Sequence, residues 1–389
     1  MSIVILVVGV VLFIGLVVAH EYGHFVLSRR NGVEVEEFGI FFPPRLYKHK
    51  TKAGWLFSLN ALPLGGFVKL KGEHDSDTEP GTFGAASTWV KTKIMAAGVL
   101  MNLATALVLF TILALVGLPK LVPNQFTVKN DTQLVSQRVL ISYIEPGSPA
   151  AKAGLQPEDE ITDVSLPGYS PVGISNSDKL PGITRAFAGK TVDVFYVRAG
   201  HEYQTRLTLL STKAVAASQK TNNPKGYLGI SPTQLTVQRS TWSAPVVAVG
   251  LSAQVTALTF QGLGHALAGL GSLIAGAVTG NHTARENGQT TATAQVAGPV
   301  GIFVIMKNGS LLGYQFMLFI IAIISLTLAI MNILPLPALD GGRLWLMLAS
   351  RLIKRPLSAK REEAINAAGF VMLVGLLVLI TIVDVKRSF

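Results

Sequence analysis

The stretch Val18-Ala19-His20-Glu21-Tyr22-Gly23-His24 decides how the rest of the chain is interpreted. It has the form His-Glu-x-x-His and ends an apolar run that begins at Ile3. Residues four apart share one face of a helix, so both imidazoles can reach one tetrahedral zinc ion, with Glu21 beside them as a general base. Ionisable groups at the end of an apolar helix are costly in lipid and mark functional sites. The pattern therefore predicts that His20 and His24 bind zinc.

The composition predicts a membrane protein with a polar portion. Hydrophobic residues make up 49% of the chain and charged residues only 14%, which is unlike a soluble enzyme. The chain has no Cys, so a zinc ion must be held by His and carboxylate groups. The net charge of +11 raises the possibility of nucleic-acid binding. We expect no nucleic acid, because the Lys and Arg residues lie beside apolar spans, as in cytoplasmic loops.

Four apolar segments predict transmembrane helices. They cover residues 3–27, 94–118, 311–334 and 364–383. We interpret the first as a retained span rather than a cleaved signal peptide, since no basic segment precedes it and no small-residue cleavage site is evident. A fifth apolar stretch, 243–280, carries a weak polar stripe and is interpreted as an amphipathic helix lying at the membrane interface.

The polar segments predict the topology. Residues 28–93 are rich in Lys and Arg and are predicted to be cytoplasmic, as is the basic loop 343–361. Residues 119–240 combine charged residues, turn signals and alternating runs, which predicts a soluble domain outside the cytoplasm. A polar connector at 285–295 precedes the third span. The predicted units are thus 1–118, 119–240, 241–310 and 311–389.

Asp340 is the candidate for a third metal ligand. It follows the third span in the string Asn-Ile-Leu-Pro-Leu-Pro-Ala-Leu-Asp-Gly-Gly-Arg, residues 332–343, whose two prolines break the helix. Unwound backbone at membrane depth is tolerated only within protein or beside a watery cavity. If 243–280 does not cross, Asp340 emerges level with His20 and His24; a crossing would leave it about 30 Å away. The site therefore requires four spans.

Two further features bear on the site. Trp55–Asn60 and Gly65–Leu70 are β-prone runs separated by Pro63, which predicts a hairpin. This is either a soluble hairpin or an edge strand that approaches the site and pairs with an extended substrate. Asn102, in the second span, needs a polar partner and is either a contact between helices or part of the site.

One segment of the soluble domain resembles a known module. The string PGSPAAKAGLQPEDEITDVS, residues 146–165, resembles a bacterial-type PDZ domain, and a single copy is present. Such domains bind chain ends or extended segments by strand addition.

Together, the HEYGH stretch, the PDZ-like segment and the residues 332–343 resemble the site-2 protease family of intramembrane zinc metalloproteases. The resemblance is closest to the bacterial regulator-of-sigma-E type, which releases anti-sigma factors. It implies a multi-span α-helical membrane protein of about four transmembrane helices, with a membrane-associated β-hairpin and an inserted α+β PDZ domain. It also implies a location in the bacterial cytoplasmic membrane.

The resemblance implies roles for individual residues. His20, His24 and Asp340 correspond to the zinc ligands and Glu21 to the general base and acid. Substrate-binding roles are implied for Gly66, Phe67, Val68, Lys69, Asn102, Asn332, Pro335 and Pro337. The implied partners are single-span membrane proteins, already trimmed outside the membrane and screened by the PDZ domain. The sequence leaves open how water enters, and the broken helix Pro335–Pro337 is the segment in which to look for an entry path.

Two other functions fit parts of the pattern. A zinc-binding transporter would show internal repeats and polar residues along a crossing path, and the sequence shows neither. A catalytically silent PDZ scaffold would not need Glu21.

Overall fold

The structure is a computed structural model that describes residues 2–74, 76–219, 224–283, 287–288, 291, 298–354 and 358–388. The chain forms two compact units. One is mainly helical and consists of Ile3–Thr111, Ala248–Ser310 and Met317–Phe389. The other is centred on a β domain, Ile112–Val247.

The elements follow the apolar and alternating patterns of the sequence. Among the described residues the helices are α1 (Ser2–Arg30), α2 (Thr88–Val116), α3 (Pro149–Lys152), α4 (Lys179–Ala186), α5 (Thr212–Ser218), α6 (Ala244–Thr279), α7 (Pro299–Leu311), α8 (Tyr314–Ile333), α9 (Asp340–Leu352) and α10 (Ala359–Ser388). The strands are β1 (Val35–Lys50), β2 (Leu56–Leu70), β3 (Leu118–Pro119), β4 (Gln133–Ile144), β5 (Glu160–Ser165), β6 (Val172–Gly173), β7 (Thr191–Arg198), β8 (His201–Thr208) and β9 (Ile230–Arg239).

Within the described part of the chain, five helices are long and apolar enough to cross a bilayer: α1, α2, α6, α8 and α10. Large apolar side chains lie exposed on them, among them Val11 on α1 and Val371 on α10, as expected of helices whose outer faces meet lipid. This confirms a multi-span helical membrane protein with an inserted β domain. Length and composition alone also admit α6 as a span, so the four-span topology stays a prediction.

The β structure after α1 differs from the predicted hairpin. Strand β2, residues 56–70, reverses direction between its two ends: 56–59 run parallel to 37–40 of β1, whereas 66–69 run antiparallel to it. Residues 37–40 of β1 lie between the two ends of β2: Ile40 is opposite both Gly66 and Leu59. The chain thus reverses near Pro63 as predicted, but the prediction that the two β-prone runs pair with each other is wrong, because 37–40 lies between them and pairs with both. Among the described residues, 66–69 therefore form an edge with a strand on one side only.

The β domain contains a seven-stranded sheet in the order β3-β9-β4-β5-β7-β8, with β6 paired to β5. Alternate residues of its strands form the core, including Val139 and Ile141 on β4 and Val192 and Val194 on β7, all with no exposed surface. The strands β4, β5 and β7 lie in the segment whose alternating runs predicted a soluble domain. The identification of this domain as a PDZ domain stays a prediction.

A carboxylate anchors the start of α6 within the β domain unit. Asp131 accepts hydrogen bonds from the backbone N–H and hydroxyl groups of Ser243 and Thr241. These hydrogen bonds, those of the Ser243 and Thr241 hydroxyls first, lower the pKa of Asp131 to about 2. Asp131 is therefore ionised at neutral pH and caps the free amides that precede the helix.

Two segments after α6 also differ from the predictions. The segment 343–361, expected to be a basic loop, begins as helix α9, which continues to Leu352. Residues 355–357 and most of the polar connector 285–295 lie outside the described residues. Helix α7 has 13 residues and so is about 20 Å long, which is too short to cross the hydrocarbon.

Candidate metal centre

Helix α1 presents the two histidines as a pair. One helical turn separates His20 and His24, and their ring centroids lie 5.0 Å apart in an edge-on arrangement. Both side chains are buried, with 9% of each residue exposed. Glu21 is half-buried beside them. The spacing of the motif thus produces the predicted common face.

Asp340 reaches the same place because the chain breaks between α8 and α9. Helix α8 ends at Ile333, two residues before Pro335, and Ala338 adopts a left-handed conformation with φ 71°. Asp340 then begins α9. A Cβ at Gly341 would lie 2.3 Å from the Leu334 carbonyl oxygen, and one at Gly342 would lie 2.1 Å from that of Leu336. The two glycines therefore let α9 pack directly on the broken segment and fix the position of Asp340.

Three donor atoms converge from these elements. Oδ2 of Asp340 lies 3.0 Å from Nε2 of His20 and 3.1 Å from Nε2 of His24, and the two Nε2 atoms are 3.3 Å apart. Ligands at 2.0–2.1 Å in a tetrahedral zinc site are separated by roughly 3.3 Å. In the described part of the chain, these three residues are the group whose ligand atoms could hold one metal ion. The donor set and its spacing fit zinc.

Gly98 on α2 leaves room at this point. A Cβ there would lie 2.5 Å from Nε2 of His20 and 2.5 Å from Nε2 of His24, far inside van der Waals contact. The space in front of both nitrogens exists only because residue 98 has no side chain. The sequence alone does not show that residue 98 packs against the metal-facing atoms.

Helix α2 also orients both rings. Nδ1 of His24 donates to the Ile94 carbonyl oxygen at 2.8 Å, which directs the lone pair of Nε2 toward Asp340. Nδ1 of His20 lies 3.1 Å from Nδ2 of Asn102. A Cβ at Gly23 would lie 2.8 Å from the Ala97 carbonyl oxygen, so α1 and α2 are in close backbone contact. Of the two predicted roles for Asn102, the structure shows a contact with a site residue.

A cavity of about 90 Å³ adjoins the histidine pair. Glu21 and Asp340 line it, together with Val68 from the edge strand. The Val68 backbone lies close to the Glu21 carboxylate, and a Cβ at Gly66 would lie 3.0 Å from Cγ of Glu21. The edge strand, the general-base candidate and the donor cluster therefore meet at one cavity with room for several water molecules.

The remaining predicted substrate-binding residues occupy different positions. Phe67 packs over Gly39 and stacks on Phe42, with ring centroids 6.3 Å apart. Lys69 forms an exposed ion pair with Glu36 at 2.7 Å. Asn102, Asn332, Pro335 and Pro337 do not line the cavity. Pro337 instead packs against Gly369 and Gly342.

Sequence reasoning missed one side of the cavity. Its wall includes Glu73, Phe83 and Arg343. Nη2 of Arg343 donates to the Glu73 carbonyl oxygen at 3.0 Å, and the guanidinium lies 5.8 Å from the Phe83 ring centre. Arg343 follows Asp340 by three residues on α9, a spacing that places both on one helical face. Neither Pro335 nor Pro337 lines this cavity, and the entry of water at the broken helix stays a prediction.

Comparisons with known proteins agree with this geometry. The model of peptidase family M50, the site-2 proteases, matches residues 8–376. A protein of Clostridium perfringens is 28% identical over 96% of both chains, and one of Clostridium acetobutylicum is 29% identical over 99% of this chain and 98% of its own. A protein of Nostoc is 28% identical over 93% of this chain and 90% of its own. All three carry the name "Putative zinc metalloprotease".

The family match covers nearly the whole chain and includes both halves of the donor cluster. Family M50 is zinc-dependent, which accounts for two imidazoles and a carboxylate converging in a chain without Cys. The predicted cofactor, zinc, is confirmed. On this evidence the chain belongs to peptidase family M50 and is a multi-pass membrane zinc metalloprotease.

Proposed function

We propose that the chain is an intramembrane endoprotease in which His20, His24 and Asp340 hold the zinc ion and Glu21 is the general base and acid. Its substrates are single-span membrane proteins, such as pre-trimmed anti-sigma factors or signal-peptide remnants. The observation that carries the proposal is the convergence of three donor atoms within 4.8 Å of one another. The two histidines lie on α1, a helix of membrane-spanning length, and Asp340 begins α9 shortly after the end of α8, beside a cavity that Glu21 also lines.

The residues of the chain divide the chemistry. When bound, zinc supplies Lewis-acid activation of water and of the scissile carbonyl. Glu21 accepts a proton from the attacking water and later donates it to the leaving amine. Glu21 and Val68 of the edge strand lie together on the cavity wall. The Ile94 carbonyl and Asn102 hold the two rings, so little reorganisation is needed as the reaction proceeds.

The edge strand 66–69 is the element that receives the substrate. The carbonyl groups of a membrane helix are hydrogen-bonded within that helix, so the segment must unwind before cleavage. An unwound segment can pair with the free edge opposite 37–40 and so present its backbone to Glu21. Gly66 allows this approach because a side chain there would contact Glu21.

The β domain screens the substrates. Strand β9 pairs with β4 along its length, whereas on its other side the described backbone contacts are those of Leu118–Lys120 with residues 236–238. The rest of that side is an edge that fits an extended chain end, the binding mode expected of a PDZ domain. A trimmed substrate end bound there is the proposed signal for admission.

The proposed location of the metal centre is near the cytoplasmic face of the bacterial inner membrane, and that of the β domain is outside the cytoplasm. His20 near the end of α1 contacts Asp340 just after α8, so α1 and α8 cross in the same direction. Helix α2 returns between them, and α7 is too short to cross. These facts favour four spans with α6 at the interface. The basic segments near Arg29 and Arg351 favour the same topology, because loops rich in Lys and Arg tend to lie in the cytoplasm.

We expect single cysteines at the two predicted faces to react from opposite sides of the membrane. The chain has no native Cys, so Ser211→Cys and Ser358→Cys each give one thiol. A membrane-impermeant maleimide added to intact spheroplasts should label Ser211→Cys, whereas Ser358→Cys should react only after lysis. Labelling of both from the same side would contradict the four-span topology.

Metal removal tests the proposed chemistry directly. Purified protein in detergent should cleave a synthetic single-span substrate, and 1,10-phenanthroline should abolish cleavage, since the proposed attack by water depends on the zinc ion. Adding zinc after removal of the chelator should restore the rate. Cleavage that persists in the metal-depleted protein would refute the zinc-dependent mechanism. Zinc binding without any cleavage would instead support the silent scaffold.

A further inference from the structure

The buried position of Asn102 does not suit a residue that binds substrate. It is 1% exposed and its side chain faces His20 rather than the cavity. Its backbone carbonyl accepts a hydrogen bond from the buried Ser325 hydroxyl of α8 at 2.8 Å. Asn102 is thus fixed between the histidine helix and the helix that leads to Asp340, out of reach of a peptide in the cavity.

The two histidines have unlike partners on their outer nitrogens. Nδ1 of His24 faces the Ile94 carbonyl oxygen, which can only accept a hydrogen bond. In the neutral ring the proton is therefore on Nδ1, and Nε2 presents its lone pair. His20 faces an amide, which has one accepting and one donating end. Nδ2 of Asn102 lies toward His20, while Oδ1 is buried with no hydrogen-bond partner among the described residues.

The amide orientation is coupled to the tautomer of His20. With Nδ2 toward the ring, Nδ1 of His20 must accept, so its Nε2 carries the proton and donates to Asp340. A half-turn of the amide exchanges Oδ1 and Nδ2 without changing its shape. Nδ1 then carries the proton and Nε2 presents its lone pair. Either orientation leaves one buried amide atom unpaired, so the contact with His20 decides between them.

We propose that Asn102 is a positioning residue of the metal centre, whose amide oxygen accepts a hydrogen bond from Nδ1–H of His20 and so frees Nε2 to bind the metal. The inference rests on the proposed function of His20 as a zinc ligand. It assigns Asn102 to the orientation of a ligand instead of to substrate binding. An outer partner of this kind fixes both the tautomer and the direction of the ring.

The test compares two substitutions of similar size. Asn102→Leu removes the acceptor, and Asn102→Asp keeps it. We expect Asn102→Leu to weaken zinc binding by about 10- to 100-fold in a chelator competition and Asn102→Asp to bind within a few-fold of wild type. The visible absorption of Co²⁺-loaded protein should change in Asn102→Leu and be retained in Asn102→Asp. Thr105→Val is the control on the same helix, because the Thr105 hydroxyl bonds to its own helix at Met101.

The outcomes separate this inference from the function on which it rests. Wild type that binds no zinc would overturn the proposed function, and the inference with it. Wild type that binds zinc, with Asn102→Leu unchanged in affinity, would overturn only the role of Asn102. A raised KM in Asn102→Leu with normal zinc affinity would do the same and would restore the substrate-binding role. Equal losses in both Asn102 variants would show a packing effect and also contradict the positioning role.

Discussion

Replacing Glu21 with Gln should lower the rate of cleavage of a single-span substrate by about 10²- to 10⁴-fold, the range that general acid–base groups contribute. Gln has nearly the same size as Glu but cannot take a proton from water at neutral pH. Glu21 is not one of the three converging donors, so the variant should keep its zinc. The measurement is single-turnover cleavage in detergent, with zinc content determined on the same preparation.

Tyr22→Phe is a matched control for this substitution. Tyr22 is the next residue on α1, is 53% exposed and stacks on Phe25, so the loss of its hydroxyl should leave the cleavage rate unchanged. A Glu21→Gln protein that cleaves as fast as wild type would remove Glu21 from the mechanism. Loss of zinc together with activity would instead show that Glu21 helps to hold the metal.

The second large effect is expected at Gly98. Gly98→Ala introduces a methyl group 2.4–2.5 Å from ring atoms of His20 and His24, in the space that a shared ion would need. We expect zinc affinity to fall by at least about 100-fold. This is the upper end of the losses in metal affinity that follow mutation of residues supporting a metal ligand. The helix itself should not suffer, because Ala is a better helix former than Gly by about 1 kcal/mol. Zinc titration of the purified variant measures the effect.

Gly15→Ala is the control for Gly98→Ala. A Cβ at Gly15 on α1 meets no atom within 4 Å, so the same chemical change there should leave zinc binding and thermal unfolding unchanged. If Gly98→Ala binds zinc as tightly as Gly15→Ala, the ion does not lie between the histidines and α2. The candidate centre would then be in the wrong place.

Much of the helical unit could be predicted because membrane helices are specified locally. An apolar run of about 20 residues has few alternatives to a spanning helix, and α1, α2, α8 and α10 lie where the sequence placed them. Asp340 could be identified although it is 316 residues from His24. The distribution of basic residues and the thickness of the bilayer leave few positions from which a third ligand could reach the histidines. In the structure Asp340 lies beside both of them.

The errors concern contacts between distant segments. Trp55–Asn60 and Gly65–Leu70 looked like each other's partners, but the strand between them in space is 37–40. The sequence does not predict a strand at 37–40, because Pro43 and Pro44 follow it closely and Pro is unusual within a sheet. Helix α9 was mistaken for a loop because its basic residues suggested a polar linker. Local composition does not specify which strand pairs with which.

The roles of Ile94 and Gly98 on α2 could not be predicted from the sequence for a related reason. Ile94, Gly98 and Asn102 recur every fourth residue, the same spacing as the two histidines, and the close contact of the helices brings the two sets together. Ile94 acts through its backbone carbonyl, a role that the type of its side chain does not indicate. Gly98 acts by lacking a side chain. Only the packing of α1 on α2 shows what either position does.

Anomalous X-ray diffraction at the zinc edge, from crystals of the zinc-loaded protein, tests the central claim most directly. We predict one strong peak within about 2.0–2.2 Å of Nε2 of His20, Nε2 of His24 and a carboxylate oxygen of Asp340. The peak should disappear in Asp340→Ala. A zinc peak that contacts only one of these residues, or that persists unchanged without Asp340, would contradict the proposed metal centre.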